Sequence, residues 1–271
     1  MKVTWIDDAL SPQLQPFRTL KRSKAHREQG IFVAQGGKNV IRLLQSGCDI
    51  LSVLATDEWL DRLIPLLEQR PEELPVFVGA KSFVEGIIGH TVYQGCIAVA
   101  KVPRFWTVDE MIAVSAERPL LVAVDQIANA DNMGVIVRSC GAFGVDGLIV
   151  GETSCSPFLR RAVRSSMGVV FELPVLETPN LVGELLRIEK LGLKTVATAL
   201  DSGSQRLDQM DLTVPLCLVF GNEGEGVSAS VMEVCSGRVV IPMARGVDSL
   251  NVGAAASVGL YEIARQRGFP A

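Results

Sequence analysis

Three short stretches concentrate the polar side chains on which a reaction or a ligand site could be built. The first is Ala128-Asn129-Ala130-Asp131-Asn132-Met133-Gly134, with Arg138 in the helix that follows. The second is Gly221-Asn222-Glu223-Gly224-Glu225-Gly226-Val227, and the third runs from Ile241 to Asn251 as IPMARGVDSLN. Glycines let backbone approach a ligand closely. The second stretch is nevertheless a poor phosphate cradle, because Glu223 and Glu225 would repel an anion that backbone N–H groups attract. Its order, G-x-x-G-x-G, also fails the dinucleotide fingerprint G-x-G-x-x-G. A ligand with a neutral or cationic portion fits better. S-adenosylmethionine, with a sulfonium and an ammonium, is such a ligand. Taken singly, each stretch also has a plain structural explanation. Asp248 or Ser249 can cap the last helix, Asn132 stands where a helix begins, and Glu223 can cap a helix starting near Gly226.

Each stretch follows an apolar run: PLLVAVDQI, PLCLVFG and RVVIPM. With VDGLIVG, VVFELPVL and LKTVATAL, these runs alternate with helical patterns such as SPFLRRAVRSSMG, NLVGELLRIEKLG and EGVSASVMEVC. Continuous apolar strands between helices predict a mostly parallel α/β sheet covered on both faces. Ligands gather beyond the carboxyl ends of such strands, where the three stretches can converge. From Val252 to Leu260 the last helix is Gly, Ala, Ser, Val and Leu without a charge, so it is expected to be enclosed on every side. Gly268 and Pro270 should stop it.

The first half alternates too. FRTLKRSKAHREQG reads as a basic helix ended by Gly30, and IFVAQG, DILSVLAT, LPVFVGA and GCIAVAKVP as strands separated by helices. This predicts a smaller α/β domain over 1–104, a linker over 105–118 and a second domain over 119–271. With 48% apolar residues among 271, the chain can bury a full core. MKVTWIDDAL is too acidic for a signal peptide, and no apolar run is long enough to span a bilayer. Six scattered cysteines without a C-x-x-C pair predict reduced, mostly buried thiols and no metal site. A cytoplasmic protein is expected. The net charge of −4 does not advertise nucleic-acid binding, yet cations cluster at Arg18, Lys21, Arg22, Lys24, His26 and Arg27, and at Arg160, Arg161 and Arg164. Either cluster is a solvated helix face or a phosphate-contacting patch.

The three stretches together resemble the SpoU/TrmH family of RNA ribose 2′-O-methyltransferases, in the SPOUT superfamily. The matching text is NADNMGVIVRSCGAFGVDGLIV, RSSMGVVFELPV, LVFGNEGEGVS and IPMARGVDSLNVGAAASVGLYE, in the family's order over roughly the second half. LKRSKAHREQGIFVAQGGKNVIRLLQSG more loosely resembles the family's ribosomal-protein-like RNA-binding domain, with Gln35-Gly36 where relatives often carry Glu-Gly. Ala130 replaces a usual proline, and Gly253 a small hydroxyl residue.

The resemblance implies a trefoil knot, S-adenosylmethionine as cofactor, an RNA substrate and a homodimer paired through the catalytic domain. It makes Asn132, Arg138, Glu223, Ser249 and Asn251 the catalytic set, and places the cofactor on Gly221, Ile241, Leu250 and Thr198. In-line transfer to a ribose 2′-hydroxyl needs the oxygen placed, its proton removed and developing charge stabilised. An arginine stays protonated, so Arg138 is expected to grip the neighbouring phosphate while the proton passes to phosphate or water. Ribosomal RNA is slightly favoured over transfer RNA because of the extra domain. Three alternatives stay open: methylation of a base nitrogen, a non-catalytic RNA-binding factor on the same fold, and a generic nucleotide-binding enzyme.

Overall fold

The computed structural model describes residues 1–20, 22–91, 94–201, 203–246 and 248–269. Lys21 of the basic run and Pro270, expected as a helix stop, lie outside the described residues. The elements run β1 (Lys2–Trp5), α1 (Gln15–Arg18), α2 (Ser23–Glu28), β2 (Ile31–Gln35), α3 (Gly37–Gln45), β3 (Ile50–Thr56), α4 (Asp57–Leu67), β4 (Pro75–Gly79), α5 (Lys81–Ile88) and β5 (Cys96–Lys101). They continue with α6 (Val108–Val114), β6 (Leu120–Val124), α7 (Ala130–Ala142), β7 (Gly147–Val150), α8 (Arg160–Ser165), β8 (Val175–Glu177), α9 (Leu181–Lys190) and β9 (Lys194–Thr198). The last are β10 (Gln205–Arg206), β11 (Leu216–Phe220), α10 (Ala229–Val234), β12 (Gly237–Val240) and α11 (Val252–Arg267). Two compact units result: Met1–Arg104 with Phe158–Glu172, and Phe105–Pro157 with Leu173–Ala271.

The first unit is a mixed five-stranded sheet in the order β1-β4-β3-β5-β2. β1 and β3 run parallel to β4, and β5 is antiparallel to both β3 and β2. All four residues of β1 are exposed, so burial leaves it no hydrophobic pattern to read, and it joins the sheet by pairing with β4 at the edge. The expected basic helix is split into α1 and α2. Between them Thr19 Oγ1 donates back to the Gln15 carbonyl at 3.0 Å, a local bond of the kind that competes with helix continuation. Phe158–Glu172 belongs to this unit because its aromatic rings are buried here. Phe158 and Phe171 lie 5.5 and 5.6 Å from the Phe32 ring, centroid to centroid. Arg42 Nη1 also donates to the Met167 carbonyl at 2.6 Å. VVFELPVL is therefore not one strand. Gly168, at φ +86°, turns the chain into a 3₁₀ turn over Val169–Phe171, and only Val175–Glu177 pairs as β8.

The second unit is a seven-stranded sheet in the order β10-β12-β9-β11-β6-β7-β8, parallel throughout. Every residue of β6, β7 and β11 is buried, which is why these strands read as unbroken apolar runs. Residues 105–118, expected as a linker, hold α6. It opens with a Thr107–Glu110 capping box and sinks Val108 and Met111 into the unit's core. α11 packs on α7: a Cβ on Gly253 would lie 2.8 Å from Val135 Cγ1, and Ser139 Oγ meets Ser257 Oγ at 2.8 Å. Within one chain α11 is not enclosed on every side. It buries Val252, Gly253, Ala256, Gly259, Leu260, Ile263 and Ala264, but leaves Val258 40% and Tyr261 50% exposed, the Tyr261 ring meeting only those of Phe143 and Phe269 among the described aromatic residues.

The cysteines are free. Burial pushes the Cys96 thiol up to about 12 and the Cys235 thiol up to about 11, which leaves both unreactive at neutral pH. Among the described residues no helix is long and apolar enough to cross a membrane.

Candidate active site

The carboxyl ends of β6, β9, β11 and β12 carry loops that close on one another, and side-chain bonds bind the loops after β6 and β11 together. Asp125 follows β6 directly, is 5% exposed, and its Oδ2 accepts the Ser228 N–H at 2.8 Å. Asn222 follows β11, and its Nδ2 donates to the Gln126 carbonyl at 2.9 Å. Its Oδ1 accepts the Gly224 N–H at 2.8 Å, while its backbone N–H and carbonyl both pair with Gly226, at 2.8 and 3.0 Å. The result is a tight glycine hairpin stapled to the loop after β6. Gln126 holds a left-handed φ of 59°, a cost that a non-glycine residue bears only where neighbours fix it. Gly221 cannot be another residue at this closure. A Cβ there would lie 2.1 Å from the Gly226 carbonyl carbon.

The structure then brings together three of the five expected catalytic residues. Asn132, in the first turn of α7, donates through Nδ2 to Glu223 Oε1. Its Oδ1 accepts from Asn251 Nδ2 at 3.1 Å. Asn251 Oδ1 in turn accepts the Gly253 and Ala254 N–H groups at 3.0 and 3.4 Å, so it is the N-cap of α11. That role had been expected of Asp248 or Ser249. The cap of α7 is Asn129, whose Oδ1 accepts the Asp131 N–H at 2.9 Å, and the carboxylate that serves the start of α10 is Asp125. Asn132 and Glu223 are thereby released from the capping duties that would have explained them away. Ala130 is the first residue of α7, a position that suits proline equally well.

Beside this chain lies a cavity of about 570 Å³, a volume typical of small-ligand sites, roughly 300–1,000 Å³. Gly221, Ile241, Leu250 and Thr198 line it, as do Ser249 and Glu223. Thr198 Oγ1 donates to the Val219 carbonyl at 3.0 Å, which ties the ends of β9 and β11. Among the described residues four carboxylates line the cavity, those of Asp201, Glu223, Glu225 and Asp248, and no lysine or arginine does. Asp201 is answered by Arg238 Nη1 at 3.2 Å. The others leave the cavity a negative field. Arg138 stands apart: it is exposed on α7, outside both the hydrogen-bonded chain and the cavity wall.

Sequence reasoning passed over Asn222, Asp125 and Asp201. Asp125 and Asn222 each sit at or next to the end of a buried apolar strand, where a side-chain oxygen most often serves backbone N–H groups of a neighbouring loop. That signal was available in DQIAN and FGNEG.

Residues 119–261 match the SpoU rRNA Methylase family. An uncharacterized tRNA/rRNA methyltransferase of Mycobacterium leprae is 37% identical over 191 residues, which cover 69% of this chain and 61% of that protein, so the chain spans less than two thirds of that relative's length. One of Mycobacterium avium is 32% identical over 253 residues, 91% of this chain and 81% of that protein. Among solved structures, an AdoMet-bound rRNA methyltransferase from Sinorhizobium meliloti superposes with a TM-score of 0.82 at 25% identity, covering 97% of this chain and 98% of its own. With the matched region spanning every loop of the cavity and of the Asn132–Glu223–Asn251 chain, the protein belongs to the SpoU rRNA methylase family.

Proposed function

We propose that the chain methylates a ribose 2′-hydroxyl in structured RNA, with ribosomal RNA slightly favoured over transfer RNA. The cofactor is S-adenosylmethionine, which is bound in the Sinorhizobium meliloti neighbour and suits the site here. The single observation that carries the reading is the cavity itself. It is a glycine-floored recess lined, among the described residues, by four carboxylates and no cationic side chain, sharing Glu223 with an amide chain that reaches α11. Such a recess rejects a nucleoside phosphate and accepts a sulfonium and an ammonium. When bound, the cofactor supplies an electrophilic methyl group.

The remaining work falls to the chain's own residues. Gly221 lets backbone close on the adenosyl group, and Ile241, Leu250 and Thr198 wall it in. Asn132, Glu223 and Asn251 tether the three loops, since both of Asn132's bonded side-chain atoms and the oxygen of Asn251 are spent on protein partners. Ser249, on the cavity wall, is left to meet the ribose. Arg138 grips the phosphate beside the target ribose in a bidentate fork and lowers the hydroxyl's pKa, and the proton passes to phosphate or water.

The active form in this reading is a homodimer. Val135, Val258 and Tyr261, 37%, 40% and 50% exposed, form an apolar face on the packed α7–α11 pair that a second copy would cover. Arg138 stands one helical turn from Val135, so the same pairing carries it to the partner's surface. Residues 1–104 take the RNA-binding role and 119–271 the catalytic one, with the cytoplasm as the place of action. The knot belongs to the same proposal. α11 ends with Arg267 donating to the carbonyls of Arg118 and Leu212 at 2.8 and 2.9 Å, which anchors it among earlier segments.

Nucleoside mass spectrometry of RNA from cells with and without the gene tests the activity. A 2′-O-methyl nucleoside present only with the gene is expected. A methyl group on a base nitrogen overturns the ribose assignment, and no difference together with no calorimetric binding of S-adenosylmethionine leaves a non-catalytic factor.

A further inference from the structure

A second polar constellation lies in the first unit, outside the three loops. Gln35 ends β2, His90 follows α5, and Arg160 opens α8. Arg160 Nη1 donates to Gln35 Oε1 at 2.6 Å, and Gln35 Nε2 lies 2.9 Å from His90 Nε2. His90 Nδ1 lies 3.1 Å from the Ile88 carbonyl. A carbonyl only accepts, so Nδ1 donates to it, while Nε2 faces an amide nitrogen that only donates. Nε2 therefore takes a hydrogen from the Gln35 amide, and Gln35 can only turn its oxygen to Arg160. The order is self-consistent from Ile88 to the guanidinium, and it holds one arginine in one orientation.

That arginine is half-buried, and its bond is to a neutral amide rather than a carboxylate. Burial first, and then the charges of Arg164 and Arg161, pull its pKa down. The same charge reaches the buried imidazole of His26, in the basic helix α2. A cation held out of water among other cations is an electrostatic cost unless an anion completes the site. The guanidinium fork, with donors left over from its bond to Gln35, matches a phosphate.

From this geometry we infer that Arg160 is a phosphate-binding residue for the RNA substrate, held in register by the Gln35–His90 relay. This rests on the RNA-methyltransferase reading above and adds a defined anchor on the first unit. Gln35 and His90 are positioning residues; neither needs to touch the RNA. A glutamate at position 35 would place a carboxylate against this arginine and cancel its charge. The glutamine of this chain keeps the cation available.

The test is binding of a labelled RNA stem-loop to the full chain at a series of salt concentrations, beside a duplex DNA of the same sequence. Calorimetric S-adenosylmethionine binding and thermal stability are measured on every variant. Arg160→Gln should weaken stem-loop binding about fivefold to tenfold and reduce the salt slope by about one, with cofactor binding unchanged. Arg160→Lys should keep the slope. Gln35→Glu should weaken binding as Arg160→Gln does, although the arginine is still present and the fold no less stable. His90→Ala should cost about twofold to threefold through loss of orientation. Stem-loop binding with an unchanged slope in Arg160→Gln, or undiminished binding in Gln35→Glu, overturns the inference and leaves the methyltransferase reading intact. Equal loss on duplex DNA overturns the RNA assignment. A slope that depends on Arg160 in a chain that methylates no RNA upholds the anchor and overturns the reading beneath it.

Discussion

The molecule holds polar side chains in two places, and it holds them by opposite means. At the strand ends of the second unit, amides and carboxylates bind one another across long stretches of chain, and the charged side chains that line the cavity beside them are, among the described residues, all acids. In the first unit the centre of the constellation is a cation, steadied by a neutral amide and imidazole with further arginines around it. The first arrangement suits a ligand that brings positive charge, the second one that brings negative charge. A methyl donor and an RNA backbone are such a pair. A net charge of −4 conceals the division, because it averages over two fields of opposite sign.

The comparison can be broken at its strongest point by Arg138→Ala. If the acidic cavity holds the cofactor and a cation from elsewhere meets the phosphate, turnover on RNA should fall about 10²-fold to 10³-fold with calorimetric cofactor binding unchanged. Unchanged turnover removes Arg138 from the chemistry. Gly221→Ala probes the other half of the division. A Cβ 2.1 Å from the Gly226 carbonyl carbon must move the hairpin, so S-adenosylmethionine affinity should collapse while stability drops by about 1–3 kcal/mol. Cofactor binding at wild-type strength would mean that the hairpin is not the cofactor's floor. Asn251→Ala is the smallest and sharpens the account of tethering. It removes the N-cap of α11 and should cost about 1 kcal/mol in urea unfolding, with Asn132 losing its second partner. A variant as stable as wild type would show that the cap is replaced by water.

Strands buried on both faces declare themselves as apolar runs whatever surrounds them, so β6, β7 and β11 and the loops after them were legible in order, and the shorter apolar runs of β9 and β12 completed the alternation. β1 was not, because an exposed edge strand has no burial pattern, and neither was the docking of Phe158–Glu172 on the first unit, which depends on where Phe32 lies. The residue types at the site were equally legible: glycines, acids and amides at strand ends name a class of ligand by charge and reach. What each does was decided by the fold. Asn251 rather than Ser249 caps α11, and Asp125 rather than Glu223 serves the start of α10. Side chains 91 and 119 residues apart had to meet before Asn132 could be read as a tether. Hydrophobic periodicity is a local property of the chain, and sequence alone determines it. Which of several equivalent oxygens finds which N–H is a matter of position in space, and only tertiary structure sets that.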